Sequence, residues 1–209
     1  MTSGQSPSHP SLASSVKTFV FDWAYNKISN SLDIQQFGNI RATSASHHLI
    51  SFLDFIHSHL DKRNTSLTVA FVECKKAFVL VDHTVVINKA ISLGLPSHLR
   101  AWLADFLTGR LQVVCFQKHT SSYQQLTCGV PQGSKMGSLG FLILINDALT
   151  NTLHHWKYVD DCMTAPWQQL EDVQRRTCRN ILGPAYTNYD HALSPHTGCQ
   201  TPSGPRQAG

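Results

Sequence analysis

Three acidic residues, Glu73, Asp160 and Asp161, are the side chains whose placement could do chemistry. An Asp-Asp pair alone says little, because turns favour aspartate. Glu73 adds to it: it follows Leu67 to Val72, a continuous apolar and β-branched run that reads as a strand covered on both faces. A carboxylate leaving such a strand can converge with the 160–161 pair if the two elements are neighbours in one sheet. Clustered acids repel unless metal or protons neutralise them. Oxygen-only donors suit Mg²⁺, which takes one or two carboxylates plus substrate phosphates. The plain alternative for Glu73 is a helical or surface acid. A second segment, Gly129-Val130-Pro131-Gln132-Gly133-Ser134, has two glycines that let the backbone approach a ligand closely.

These residues need elements to position them. Apolar residues recur at helical spacing from Val16 to Ile28 and from Leu49 to Leu60, predicting two amphipathic helices, the first burying Phe19 and Trp23. Further helices are predicted over Thr84 to Leu93 and Ser97 to Leu107, divided by Gly94-Leu95-Pro96, with Gly109 ending the second. Arg110 to Gln117 and Ser121 to Thr127 read as a hairpin. An apolar helix-permitting stretch runs to Leu149. Strand, acidic turn and strand then follow over Leu153 to Val159, Asp160-Asp161 and Cys162 to Ala165. A last helix spans Trp167 to Leu182. Residues 1–15 and 184–209 are Ser/Pro-rich and predicted disordered.

Composition narrows the classes. Of 209 residues 42% are apolar, too many for a wholly disordered chain. Charged residues are 14%, against about 25% in typical globular proteins, so the formal +4 charge is not a dense basic footprint. The longest apolar run, Leu139 to Ile145, is far short of the roughly 20 residues of a membrane span, and no secretory signal is legible; an intracellular protein of nucleus or cytoplasm is expected. Six scattered cysteines with no metal spacing read as reduced thiols. The pairs His47-His48 and His154-His155 lack metal-motif spacing and read as surface or partly buried groups. Arg175, Arg176 and Arg179 form a basic ridge, either a phosphate contact or a solvated helix face.

Three blocks, FVECKKAFVLVDH (Phe71 to His83), GVPQGSKMGSLGFLILIND (Gly129 to Asp147) and KYVDD (Lys157 to Asp161), resemble successive signature blocks of reverse transcriptases in order, spacing and wording. QFGNIRATSASHHLI (Gln36 to Ile50) is similar to the segment preceding the first block, and the nearest resemblance is to the polymerases of jockey-like non-LTR retrotransposons. The likeness covers roughly residues 16–165. It implies an α+β fold: a right-hand polymerase palm fragment with partial fingers, its small antiparallel sheet backed by helices. The implied activity is RNA-directed DNA synthesis from an RNA template and DNA primer with deoxynucleoside triphosphates, by a two-ion Mg²⁺ site. By position, Glu73 and Asp160 would be the main catalytic metal ligands, with Asp161 beside them. Phe78 would be the aromatic gate against a ribose 2′-hydroxyl, or else a core residue. Pro131, Gln132, Gly133 and Ser134 would lie along template and nucleotide.

The departures from the pattern also carry expectations. The family has Asp at position 73 and a second Asp where this chain has Val79. Glutamate moves the carboxylate outward by about 1.5 Å, and a misplacement of roughly 1 Å can cost on the order of 10² in rate, so catalysis is expected to be severely reduced. The basic finger segments and the thumb look absent, and residues 169–193 resemble a segment much further downstream, as if an internal deletion had joined distant pieces. The alternative function is a non-catalytic nucleic-acid-binding or protein-interaction remnant.

Overall fold

In the computed structural model, the described residues are 12–63, 65–74, 76–165 and 179. Helix α1 (Leu12–Ile28) leads through a single turn of tighter helix, Ser29–Ser31, to a loop and α2 (Ala45–Leu60). Strand β1 (Ala70–Glu73), α3 (His83–Ser92), α4 (Ser97–Leu107) and α5 (Lys135–Ile145) follow, and β6 (His155–Tyr158) and β7 (Asp161–Thr164) close the described fold. Between α4 and α5 lie four two-residue strands, β2 (Leu111–Gln112), β3 (Cys115–Phe116), β4 (His119–Thr120) and β5 (Gln124–Gln125). The result is a mixed helical and antiparallel-sheet architecture.

The starts of the helices are written in their caps. Ser44 accepts the His47 N–H, Asp82 accepts those of Thr84 and Val85, and Ser134 accepts that of Gly137. Each satisfies amides that a helix start otherwise leaves unpaired. Helix α5 is buried at nine of its eleven positions, from Met136 to Ile145, as expected of a helix apolar all round. It is packed against α1 and α3.

The main sheet is three-stranded and antiparallel, in the order β1-β7-β6. Its alternation separates two cores. Val72 and Cys162 point into the large one with α1, α3, α4 and α5. Trp156 and Met163 point the other way, against Phe52 of α2. Helices therefore lie on both faces of the sheet, not on one. Along the outer edge of β6, Gln36 bridges Lys157 in parallel: the Phe37 amide donates to the Lys157 carbonyl and the Lys157 amide to that of Gln35, both at 2.8 Å.

Several expectations change. Phe19 is 67% exposed and Trp23 is exposed too; the buried stripe of α1 is Ala24, Tyr25 and Ile28. That helix is apolar on more than one side, so spacing alone left two candidate faces. Phe19 and Trp23, one turn apart, pack on each other instead, with ring centroids 6.2 Å apart. The strand starts at Ala70 rather than Leu67 and is covered on one face only, with Phe71 exposed, because it lies at the sheet's edge. The long hairpin is broken into β2 paired with β5 and β3 paired with β4. Helix α1 begins at Leu12, inside the lead expected to be disordered. Cys115 and Cys162 are free thiols as expected, but Cys128 is disulfide-bonded. The helix expected over 167–182 falls outside the described residues except for Arg179, which is helical and exposed.

Candidate active site at the acidic hairpin

Strand register brings Glu73 and Asp161 together. They are direct partners in the antiparallel β1·β7 pairing, and Tyr158 of β6 faces Asp161 from the other side. Directly opposed residues project from the same sheet face with Cβ atoms about 4.5–5.5 Å apart. Both carboxylates line one cavity of about 330 Å³, walled by Phe71, Met163 and Tyr158 from the sheet and by Ala45 and His48 from α2. Two like charges so placed are unfavourable. The positive end of α2, at Ala45, offsets part of that cost.

Asp160 stands differently from the other two. The turn is Val159-Asp160, and Asp161 is already the first residue of β7, one position away from the expected turn of Asp160-Asp161. A two-residue hairpin needs positive φ in its loop, usually from glycine. Here Val159 supplies it, at φ 58°. A β-branched residue in that region is strained by roughly 1–3 kcal/mol. Two neighbours hold it there. The buried Gln36 side chain accepts the amides of Gly38 at 2.8 Å and Val159 at 3.3 Å. Gly38 lies so close that a Cβ on it would fall 2.2 Å from the Val159 nitrogen.

Beneath the hairpin lies a residue the sequence did not single out. Lys157 is fully buried. Its ammonium donates to the carbonyls of Ile145, Asn146 and Ala148 at 3.1, 2.7 and 3.0 Å, and lies 2.7 Å from the Asp33 carboxylate. It thus neutralises the negative end of α5. Asp33 also receives His155 at 2.8 Å. Burial alone would raise the Asp33 carboxyl, but the His155 hydrogen bond and the charge and hydrogen bond of Lys157 outweigh it and hold it well below the usual range.

Two other groups at the cavity, His48 and Cys162, favour their neutral forms. Burial lowers the His48 imidazole, and the Asp161 charge recovers only part of that, so His48 favours its neutral form. Its Nε2 is buried without a hydrogen-bond partner. Burial pushes the Cys162 thiol, behind Asp161, up to about 12, which makes it a poor nucleophile.

The nucleotide-binding candidates gather elsewhere. Pro131 and Gln132 line a second cavity, of about 460 Å³, with Val79, Arg110, Gln112 and residues 125–130. Arg110 holds this loop by donating to the Gly129 carbonyl and, at 2.9 Å, to that of Leu107. Its guanidinium is lowered by burial, yet arginine stays charged in proteins. Phe78 is half-buried, its ring stacked on Phe141 with centroids 4.2 Å apart and its carbonyl accepting the Val130 amide. Gly133 is exposed at φ 75°. Ser134 donates to the Pro131 carbonyl at 2.8 Å while capping α5. Ser134→Ala is therefore expected to destabilise the fold by about 1 kcal/mol, measurable by denaturant titration. A loss of binding to nucleic acid with no loss of stability would show that the hydroxyl serves a ligand instead.

Among the described residues no three His, Cys, Asp or Glu side chains are grouped so as to hold a metal ion. What Glu73 and Asp161 offer is a pair of oxygen donors, the number Mg²⁺ commonly takes from protein when phosphates supply the rest. No helix among the described residues is long and apolar enough to cross a membrane.

A family model described as reverse transcriptase (RNA-dependent DNA polymerase) matches residues 19–177. No curated protein matches the chain. The match takes in both cavities, the acidic hairpin and the loop ahead of α5. The chain belongs to the reverse transcriptase family.

Proposed function

We propose that the chain is the palm fragment, with partial fingers, of the polymerase of a jockey-like non-LTR retrotransposon, carrying an internal deletion after about residue 165 and weak in RNA-directed DNA synthesis. The observation that carries the reading is the register of Glu73 opposite Asp161 in one cavity. In this reading Glu73 and Asp161, with Asp160 beside them, would hold Mg²⁺. When bound, the ion would supply charge neutralisation of the triphosphate and activation of the primer hydroxyl.

The chain's own residues do the positioning. Gln36 and Gly38 hold the turn that carries Asp160, and Lys157 fixes β6 on the end of α5. Phe78 would wall the nucleotide site from its seat on Phe141, and Pro131, Gln132, Gly133 and Ser134 would follow the template strand. Arg110, in the same cavity as Gln132, adds a fixed cation for phosphate.

Glu73 is the defect this reading puts first. Glu73→Asp is expected to raise primer extension on an RNA template with Mg²⁺ or Mn²⁺ by on the order of 10²-fold, by restoring the shorter reach. Adding Asp161→Asn should abolish the gain. If Glu73→Asp gains nothing, the missing fingers and thumb are the larger defect. One observation favours the second reading, a non-catalytic nucleic-acid-binding remnant: the acids and the Pro131–Gln132 loop line separate cavities. Salt-dependent binding to RNA·DNA hybrid by wild type and Glu73→Asp alike, with synthesis by neither, would establish it.

A further inference from the structure

Away from the acids, at the other end of α2, two histidines meet. His59 stands one residue before the end of that helix, and His154 immediately precedes β6. Their ring centroids are 5.8 Å apart with the planes at 73°. Phe55 packs on both, at 4.1 and 4.4 Å, and on Trp156 at 4.8 Å, so the two rings share an aromatic floor belonging to the smaller core.

The hydrogen bonding sets the tautomer of His59. Its Nδ1 lies 3.1 Å from the Phe55 carbonyl, one helical turn back, which makes Nδ1 the N–H donor and leaves the lone pair on Nε2. A second-sphere carbonyl on one ring nitrogen, with the other nitrogen free, is the usual arrangement of a metal-binding histidine. Two imidazoles sharing a tetrahedral ion with bonds of about 2.0–2.1 Å have their ring centres about 5 Å apart. The present spacing is within a side-chain adjustment of that.

We propose that His59 and His154 form a two-histidine site for a divalent transition-metal ion such as Zn²⁺, with water completing the coordination. Metal ligation requires neutral imidazole, so binding of the ion displaces any proton the two rings carry. An ion here would staple the C-terminal end of α2 to the chain leading into β6. The same helix walls the acidic cavity with its other end. The inference does not depend on the polymerase reading, since it uses neither carboxylate.

The test uses the full chain, free of any affinity tag and stripped with EDTA. Zn²⁺ is titrated calorimetrically, and Ni²⁺ is used as a paramagnetic probe of the histidine ring protons. His59→Gln and His154→Gln are each expected to weaken Zn²⁺ binding at least about tenfold, since each removes one of the two protein ligands of the site. His57→Gln, an exposed neighbour on the same helix, should leave binding unchanged. In the wild-type chain Ni²⁺ should broaden His59 and His154 before any other histidine, a readout that holds even if a variant folds poorly. Wild-type Zn²⁺ affinity in both variants, or first broadening at other histidines, would overturn the proposal.

Discussion

Lys157→Met is expected to lower the melting temperature by about 6–20 °C. Breaking a buried pair by removing one partner costs about 3–5 kcal/mol, and each kcal/mol is worth about 2–4 °C in a domain of this size. The substitution removes the cation facing the Asp33 carboxylate, which keeps His155 and the Gln35 amide, and leaves the Asn146 and Ala148 carbonyls at the end of α5 without the ammonium. The double variant Lys157→Met/Asp33→Asn should regain part of the loss, because the uncompensated charge is gone. Thermal melts followed by circular dichroism at neutral pH measure both. A single variant melting within about 2 °C of wild type would show that the ammonium does not carry this junction.

The same pair sets an acid response. Asp33 has a folded pKa depressed below its unfolded value of about 3.9, so it contributes stability that is present above that value and is lost as pH falls toward the folded one. In Lys157→Met one of the causes of the depression is removed. The slope of stability against pH below about 4 should therefore be shallower in the variant than in wild type.

The second large effect is at Gly38. An added methyl would sit 2.2 Å from the Val159 nitrogen and 2.5 Å from its Cγ2, both far inside van der Waals contact. Because the nearest atom is backbone, the strained turn must move rather than a side-chain tip. Gly38→Ala is expected to destabilise by about 1–3 kcal/mol or more. In a Glu73→Asp background it should also reduce primer extension on the order of 10²-fold, the effect of moving a catalytic carboxylate by roughly 1 Å. Gly94→Ala is the control: a Cβ there meets nothing within 4 Å, so only its φ of 75° is penalised and synthesis should be unaffected. Equal losses of synthesis in the two variants would show that the Gly38 contact does not position the acids.

What the sequence reveals and conceals here follows from how far each interaction reaches along the chain. Helix α4 is found at the expected residues, Ser97–Leu107, because its signals are local: Pro96 before it, a regular apolar stripe, and Gly109 after it. The β6–β7 hairpin is legible for the same reason, apart from the one-residue displacement of its turn. Lys157 is not. Lysine is almost never fully buried unless paired, and its partners are Asp33, far back in the chain, and carbonyls that exist as a group only once α5 ends. Arg110 escaped notice because its work is done on the backbone of a loop that closes only when the β2–β5 pairing forms. The two separate cavities were beyond reach as well, since residue types do not report which side of Gly129 a loop will open toward.

Sheet order has a consequence for biosynthesis. Among the described strands β1 pairs with β7 alone, and β7 is the last of them. Glu73 therefore leaves the ribosome long before its partner is made, an interval of roughly 4–18 s at about 5–20 residues per second. During that interval α3, α4 and α5 can consolidate through contacts near in the chain, while the first strand waits with its hydrogen-bonding edge and the Phe71 ring uncovered. The opposed acidic pair is thus a late product of translation, and the nascent chain is most in need of a chaperone over the stretch that ends with residue 164.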